Sequence, residues 1–292
     1  METYFAFIIN PNAGKRKKFD IQRLIEIHLP SEIRREYIIW ADKNNFEEVR
    51  QKIFGLPFTH VIAVGGDGTV NQVASCLLNC KLIFGILPLG SGNGLARSLG
   101  IPMNINQAIK FLYKEKVQEL DVGLINNIPF FCTAGLGFDA KIGELFFLDK
   151  TRGLGSYVKI IVRELLRYRS KNYELKVDGN LLNRKAFLIT FANCGQYGND
   201  FYIAPEAKPN DGKIHLVIMR PFGFFGFFEL FFRIITKQAQ RSLFVETIIC
   251  QDVEIHTSEE QFFHFDGEPF KGSKSIQVKV FDGKQKVIGI FP

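Results

Sequence analysis

The chain has 292 residues, of which 46% are hydrophobic and 23% charged, with five cysteines and a formal net charge of +7. These values exclude a disordered arm, a disulfide framework and a paired-cysteine zinc site, and the length suits two domains because single cores stop growing near about 250–300 residues. The positive charge favours an anionic partner, and the N-terminal residues lack a secretion signal, so we expect a cytoplasmic protein.

Strand and helix patterns alternate up to about residue 121. The first pair is TYFAFIIN and FDIQRLIEIHL, and the last pair is KLIFGILP and INQAIKFLYK. Such a rhythm is typical of a three-layer α/β domain whose mostly parallel sheet is covered on both faces. Strand-like pieces with Asp-Gly turns follow, including YELKVDG and GKIHLVIMR, and they predict a second, mainly antiparallel β domain.

In the stretch VIAVGGDGTVNQ, a predicted buried strand ends in a glycine-rich turn. Gly65, Gly66 and Gly68 let backbone N–H groups approach an anion, and a helix beginning near Thr69 adds its positive end. Asp67 has the wrong charge for a phosphate contact, but it suits Mg²⁺ that bridges phosphate oxygens. A tight turn with a helix-capping aspartate is the alternative, and the density of glycines argues against it.

Two further glycine turns follow predicted strands. ILPLGSGNGLARSLG repeats the order of strand, glycine turn and helix, and its Ser91 can donate a hydrogen bond to a phosphate oxygen. NPNAGK ends the first strand of the chain. Because the carboxyl ends of parallel strands meet at one edge of a sheet, the three turns together predict a phosphate-binding site there.

An ordered set of motifs spans essentially the whole chain, namely NPNAGK, VGGDGTVNQV, PLGSGNGLAR, LDVGLIN, TRGLGSYVK, PNDGKIHLVI and FDGEP. The set resembles the diacylglycerol kinase and sphingosine kinase-like lipid kinase family, in particular its bacterial members. NAD kinases and phosphofructokinases share a GGDGT-like stretch, but the downstream motifs resemble those of the lipid kinases. The resemblance implies a nucleotide-binding domain over residues 1–121, a β-sandwich-like lipid-substrate domain over 122–277, and a return of residues 278–292 to the first domain.

The same resemblance implies residue roles for an ATP-dependent kinase. Asp67 would lie beside the catalytic metal, and Glu268 of FDGEP matches the general base of the family. Asp266, two residues earlier, is the alternative base. The nucleotide-binding residues implied are Asn10, Pro11, Asn12, Ala13, Gly14, Gly65, Gly66, Asp67, Gly68, Thr69, Val70, Asn71 and Ser91.

A structural Mg²⁺ site is implied for the loop KPNDGKI. The resemblance assigns the ion to the side chain of Asp211 and the backbone carbonyls of Lys208 and Lys213, and oxygen ligands suit Mg²⁺. Asp121 of LDVG resembles the carboxylate that links this ion to the active site through water. A plain Asp-Gly hairpin turn and a helix-to-strand turn are the respective alternatives.

Two positions depart from the family pattern. Trp40 and Ala41 stand where many relatives have a nucleotide-contacting threonine, which puts a contact on the adenosine side in doubt. Ser91 replaces the threonine common in bacterial members and is closer to the form in sphingosine and ceramide kinases. The second departure shifts the expected substrate toward long-chain bases or ceramide.

Seven of the 30 phenylalanines lie between Pro221 and Arg233, in the stretch PFGFFGFFELFFR. The stretch is too short and too charged to span a bilayer, and Glu229 and Arg233 have the spacing of a helix-face ion pair. A buried core helix and a surface that contacts acyl chains or the membrane interface both remain open. The basic run over Lys15–Lys18 suits nucleotide phosphates, anionic headgroups or plain solvation.

We therefore expect an ATP- and Mg²⁺-dependent lipid kinase, cytoplasmic and peripheral to the inner face of the membrane. Its expected partners are ATP and a diacylglycerol-like or sphingoid lipid at the membrane surface, without nucleic acid, and the sequence leaves a homodimer open. The rival hypotheses are a soluble-substrate kinase of the NAD kinase type and a non-catalytic nucleotide- or lipid-binding regulator. Intact Asp67 and Glu268 argue against the regulator.

Overall fold

The structure is a computed structural model that describes residues 2–14, 18–40, 45–148, 160, 162–165, 167–257, 259–270 and 272–291. The chain forms two compact units, and each is described by itself below. The first unit contains Met1–Asp121 and Asp282–Pro292, and the second contains Val122–Phe281.

The first unit is built on a six-stranded sheet. The strands are β1 (Tyr4–Ile9), β2 (Arg34–Ile39), β3 (His60–Gly65), β4 (Ile83–Pro88), β5 (Val117–Leu120) and β18 (Gln285–Ile288). Their order is β2-β1-β3-β4-β18-β5, and all neighbours run parallel except β18 and β5. Every residue of the central strand β1 is buried, as expected for a strand covered by helices on both faces.

Helices connect these strands. They are α1 (Lys18–His28), α2 (Phe46–Gly55), α3 (Asp67–Cys76), α4 (Gly94–Ser98) and α5 (Ile105–Lys114). The sequence explains α5 directly, because the Asn104 side chain caps its first N–H groups and the apolar residues recur at helical spacing. Its buried residues, Ile105, Ala108, Ile109, Phe111 and Leu112, all lie on the face that packs into the unit.

The second unit is a β-sandwich that also carries helices, among them α6 and α7. One sheet has the order β10-β9-β14-β17-β6-β7 and the other β13-β12-β11-β8-β15-β16, both antiparallel. Side chains from both sheets form one buried core, which is why several strands alternate buried and exposed residues. The elements are β6 (Gly123–Ile125), β7 (Ile128–Phe130), β8 (Thr133–Gly137), α6 (Phe138–Leu148), β9 (Lys171–Val177), β10 (Asn180–Ala186), β11 (Leu188–Ala192), β12 (Ile214–Met219), α7 (Phe224–Ile235), a 3-10 turn (Ala239–Arg241), β13 (Val245–Cys250), β14 (Asp252–His256), β15 (Phe263–Phe265), β16 (Glu268–Phe270) and β17 (Ser275–Val280).

The predicted fold class is confirmed for both halves of the chain. The return to the first unit differs in position, because the sequence placed it at residue 278 and the structure places it at Asp282. The reason is that Val278 and Val280 belong to β17, whose pairing with β6 and β14 keeps them in the second unit.

A buried ion pair fixes the returning segment within the first unit. The Lys284 Nζ atom lies 2.6 Å from Oδ1 of Asp121, whose side chain is 2% exposed. A carboxylate removed from water in this way needs a compensating charge. Asp121, which the resemblance assigns to a water-mediated link with a structural ion, thus binds the segment that returns to the first unit.

We expect Lys284→Ala to lower the free energy of unfolding by about 1–3 kcal/mol, because it removes the cation from a buried carboxylate while the lysine itself is partly exposed. Urea titration followed by circular dichroism measures the change. Lys286→Ala is the matched control, since Lys286 is an exposed lysine of β18, two residues further along the chain. An equal loss in both variants would show that the ion pair between Asp121 and Lys284 contributes nothing to the free energy of unfolding.

Candidate functional site

Three loops of the first unit lie at one edge of the sheet, because they follow the neighbouring parallel strands β1, β3 and β4. The first and second loops are joined by a hydrogen bond from Asn10 Nδ2 to Thr69 Oγ1 at 3.0 Å. The second and third are joined by a bond of 2.8 Å from the Leu89 N–H to the Gly65 carbonyl. The predicted convergence of these loops is present in the structure.

The second and third loops, which follow β3 and β4, contact each other through the backbones of glycine residues. A Cβ atom built on Gly90 would lie 2.8 Å from the Cα atom of Gly66, and one on Gly66 would lie 3.3 Å from Cα of Gly90. Real Cβ atoms do not approach backbone as closely as the first of these distances. Larger residues at Gly66 and Gly90 would therefore force the loops apart.

The carboxylate of Asp67 provides the second link between these loops. Its Oδ2 accepts the N–H of Asn93 at 2.9 Å, and its Oδ1 accepts the N–H of Gly94 at 2.8 Å. Burial raises the pKa of Asp67, and the two N–H donors oppose that shift by stabilising the ionised form. Both oxygens of the predicted metal-facing carboxylate thus accept backbone hydrogen bonds from the following loop.

Asn93 is a site residue that the sequence reasoning did not assign. It adopts a left-handed backbone conformation with φ of 52°, which Asn tolerates better than most residues. Its side chain accepts the Gly90 N–H at 3.0 Å and donates to the Gly90 carbonyl at 2.8 Å, so it closes the turn that contains Ser91. The Asn-Gly pair in GSGNG is the only sequence signal for such a turn.

A cavity of about 430 Å³ lies beside the third loop. The predicted residues Gly14 and Ser91 line it, and so does Arg97, whose Nε donates to the Gly92 carbonyl at 3.1 Å. A guanidinium and a hydroxyl at the mouth of a glycine loop are suited to phosphate oxygens. Other lining residues are Leu89, Gly90, Asn93, Met103 and Asn104.

The remaining predicted nucleotide residues lie in the turn after β1 and at the start of α3. Pro11, Asn12 and Ala13 form the turn after β1, where Asn10 Oδ1 accepts the Asn12 N–H at 2.9 Å. Gly68 lies in the first turn of α3, whose leading N–H groups have no partner within the helix. Thr69, Val70 and Asn71 are buried, with exposed fractions of 5%, 5% and 8%.

Val70 stays a predicted nucleotide contact, and the structure places it inside the unit. Its side chain packs in the interior, and its N–H already donates to the Gly66 carbonyl at 3.0 Å as part of the helix. Trp40 is likewise buried at the end of β2, where it packs edge-on against Phe46. Ala41 and residues 15–17 of the basic run lie outside the described residues.

The predicted structural metal loop lies in the second unit, before β12. Asp211 is exposed, and its Oδ1 accepts the N–H of Lys213 at 3.0 Å, as in an Asx turn. One carboxylate and the carbonyls of Lys208 and Lys213 have the oxygen chemistry that Mg²⁺ requires, so the donor set fits the ion. Among the described residues, no group of three or more His, Cys, Asp or Glu side chains is arranged as a metal site.

The FDGEP motif forms a tight hairpin between β15 and β16. Asp266 and Gly267 have φ values of 47° and 84°, which is the conformation of a type I′ turn. The Asp266 carboxylate accepts N–H groups from Phe131, Cys132 and Thr133 at 2.9, 2.8 and 3.0 Å. Asp266 therefore fixes the hairpin. Glu268 lies at the end of the turn, and both acids are half-buried.

A polar cluster lies behind this hairpin. Oδ2 of Asp139 accepts the Tyr197 hydroxyl at 3.0 Å and lies 3.0 Å from Nε2 of His264, a buried residue of β15. Thr190 Oγ1 contacts the same oxygen at 3.3 Å. The sequence reasoning missed this cluster because its members are far apart in the chain and share no motif.

Comparison with known proteins identifies two domain families along the chain. The diacylglycerol kinase catalytic domain matches residues 4–125, and the YegS C-terminal NAD kinase beta sandwich-like domain matches residues 133–289. The second match alone covers more than half of the chain, and its limits fall inside the second unit and the returning segment.

Similar proteins and structures agree with these matches. A protein of Klebsiella pneumoniae named "Probable lipid kinase YegS-like" is 31% identical over 220 residues, which cover 73% of this chain and 72% of that one. A protein of the same name from Chromohalobacter salexigens is 30% identical, over 72% and 69% of the two chains. The crystal structure of a diacylglycerol kinase from Bacillus anthracis superposes with a TM-score of 0.75 at 20% identity, covering 99% of this chain and 97% of that one, which shows the shared fold.

We expect Asp67→Asn to lower the free energy of unfolding by about 1.5–3 kcal/mol, because an amide can accept only one of the two N–H groups and presents its own NH₂ to the other. Urea titration measures this change, and calorimetry should show adenine nucleotide affinity reduced about tenfold as the loops separate.

Asp178→Asn is the matched control for this substitution. Asp178 also accepts two backbone N–H groups, but in a turn of the second unit, and a single oxygen accepts both. Asparagine keeps that oxygen, so stability and nucleotide affinity should change little. Normal stability in the Asp67→Asn protein would show that the link between the loops is unimportant.

Proposed function

Because the chain belongs to the diacylglycerol kinase and sphingosine kinase-like family of lipid kinases, we propose that it transfers the γ-phosphoryl group of ATP to a hydroxyl of a diacylglycerol-like or sphingoid lipid. The observation that carries the proposal is the paired glycine loop of Gly66 and Gly90 at the N-terminal end of α3. Backbone N–H groups and the helix dipole there suit the phosphates of a nucleotide.

The first unit would bind and orient the nucleotide. N–H groups at the start of α3 and in the turns after β1 and β4 would donate to phosphate oxygens, with Ser91 and Arg97 adding side-chain donors. Asp67 would act as a positioning residue, since its carboxylate joins the two loops through Asn93 and Gly94. Phosphoryl transfer depends mainly on positioning and charge, so the separation of these loops sets how well the phosphates are oriented.

Mg²⁺ would enter in two ways in this proposal. An ion that accompanies ATP supplies neutralisation of the phosphate charge. A structural ion would be bound in the second unit by the Asp211 side chain and the carbonyls of Lys208 and Lys213. Asp121 belongs to the first unit, where Lys284 already supplies a compensating cation.

Glu268 is the proposed general base. A lipid hydroxyl has a pKa far above neutrality, so its proton must pass to a nearby base as the bond to phosphorus forms. Asp266 is poorly suited to that role, because three backbone N–H groups stabilise its charged form and a hydrogen-bonded carboxylate is a weak base. The carboxylate of Glu268 would accept the proton instead.

The substrate would be reached at a membrane. We assign the protein to the cytoplasm, peripheral to the inner face of a bilayer, and to phospholipid metabolism. Transfer of labelled phosphate from ATP to diacylglycerol, monoacylglycerol, sphingosine, ceramide and NAD tests the proposal directly. Labelled lipid supports it, label on NAD alone would favour a soluble-substrate kinase, and no transfer with intact nucleotide binding would favour a regulator.

We expect Glu268→Gln to lower kcat about 10²–10⁴-fold, because the amide keeps the shape of the side chain and removes its basicity. Stability and ATP affinity, measured by thermal unfolding and calorimetry, should change little. Asp266→Asn is the informative comparison: it should lower the melting temperature, because the amide cannot accept all three N–H groups. Retained activity in Glu268→Gln together with an inactive but stable Asp266→Asn protein would reverse the two roles.

A further inference from the structure

Helix α7 exposes a continuous apolar face to solvent. Phe225 is 85% exposed, Phe224 70% and Phe232 67%. Their spacing places them on one side of the helix. We call this the Phe face, and its members are Phe224, Phe225, Phe228, Phe231, Phe232 and Ile235.

The opposite side of α7 anchors the helix to the second unit. Leu230 is buried in the core cluster next to the sheet, and a Cβ atom on Gly226 would lie 2.9 Å from Cβ of Phe222, so the backbone packs closely there. Glu229 forms an ion pair with Arg233 and accepts the Ser242 hydroxyl at 2.7 Å. The fold therefore keeps α7 in place without the Phe face, and the interpretation of the whole stretch as a buried core helix is wrong for that face.

Positive charge borders the Phe face. Lys237 and Arg241 follow the helix and are exposed, and Leu243 beside them is 89% exposed. Two acids of this region pair with arginines, Glu246 with Arg184 at 2.9 Å and Arg220 at 3.0 Å, and Glu229 with Arg233. A third acid, Glu206, accepts a hydrogen bond from Gln240, so the basic side chains named here outnumber the acids. Among the described residues, Lys237 and Arg241 form no ion pair with a carboxylate. The charge next to the exposed phenylalanines is therefore positive.

A lipid surface matches this combination better than the alternatives. An amphipathic helix with an apolar aromatic face and basic residues at its border binds in the plane of a bilayer interface. No helix in the described part of the chain is long and apolar enough to cross a membrane. A symmetric homodimer through the Phe face would bring each Lys237 and Arg241 near the same cations of the partner, because the same patch meets itself.

We propose that the Phe face docks the enzyme on the surface of a bilayer that contains anionic lipids, with Lys237 and Arg241 contacting the headgroups. This inference rests on the proposed function in one respect, namely that the substrate is a lipid in a membrane. It goes beyond that function by naming the docking surface and the charge of the lipid surface it selects. The stability of α7 does not require the Phe face, and membrane docking explains why these phenylalanines are exposed.

Cosedimentation with vesicles tests the proposal. The full chain should bind vesicles of phosphatidylcholine with about 30 mol% phosphatidylglycerol much better than phosphatidylcholine alone, and salt should weaken that preference. Phe225→Ser with Phe232→Ser should reduce partitioning at least about tenfold, because two apolar rings no longer leave water. Lys237→Gln with Arg241→Gln should reduce binding to anionic vesicles about fivefold for each cation removed.

Leu181→Ser is the matched control, because Leu181 is 80% exposed but lies on β10 instead of α7. All variants should keep the wild-type melting temperature, since the substituted side chains are exposed. Unchanged vesicle binding in the Phe225/Phe232 variant would overturn the proposal. So would a change in oligomeric state by light scattering with vesicle binding intact, which would assign the Phe face to a second copy of the chain.

A separate assay distinguishes failure of docking from failure of the proposed function. Phosphate transfer to a short-chain, monomeric lipid in solution should be the same in the Phe225/Phe232 variant and in the wild type. Vesicle binding through the Phe face without any transfer to lipid would retain the docking surface and reject the lipid kinase. Transfer to lipid, together with vesicle binding that the Phe225/Phe232 substitutions leave unchanged, would retain the lipid kinase and reject the docking surface.

Discussion

The candidate site depends on the hydrogen bonds that the Asp67 carboxylate accepts. The carboxylate accepts the N–H groups of Asn93 and Gly94 and so determines where the third loop lies relative to the second. The glycine backbones of Gly66 and Gly90 then touch, and the turn that contains Ser91 is closed by Asn93. The negative charge of Asp67 does not suit a direct phosphate contact, but its carboxylate aligns the neutral backbone N–H donors of the neighbouring loop.

The second unit uses a carboxylate in the same way. Asp266 accepts three backbone N–H groups at the start of β8 and so holds the β15–β16 hairpin against that strand. The two acids of FDGEP consequently have different environments, although they are two residues apart. One is committed to backbone donors, and the other, Glu268, lies at the end of the turn, which is the physical basis for assigning the proton-accepting role to it.

The sequence predicts the local features well, because they follow from local physics. The alternation of strand and helix patterns is enough to recognise the parallel first half, and the succession of strand patterns is enough to recognise the antiparallel second half. Glycines mark the loops. The partners of Asp67 and Asp266 were not predictable, since a backbone N–H belongs to any residue type and those of Phe131, Cys132 and Thr133 are remote in the chain from Asp266. The insertion of β18 between β4 and β5 is equally non-local. The exposure of Phe225 and Phe232 is set by tertiary packing, because composition alone favours burial of such a helix.

The most direct measurement of the central claim is phosphorus NMR of a reaction that contains the full chain, ATP, Mg²⁺ and mixed-lipid vesicles. The account predicts a new phosphomonoester resonance that extracts into organic solvent with the lipid, together with an equal amount of ADP. ADP accompanied only by inorganic phosphate, or a new phosphate ester that stays in the aqueous phase, would contradict it.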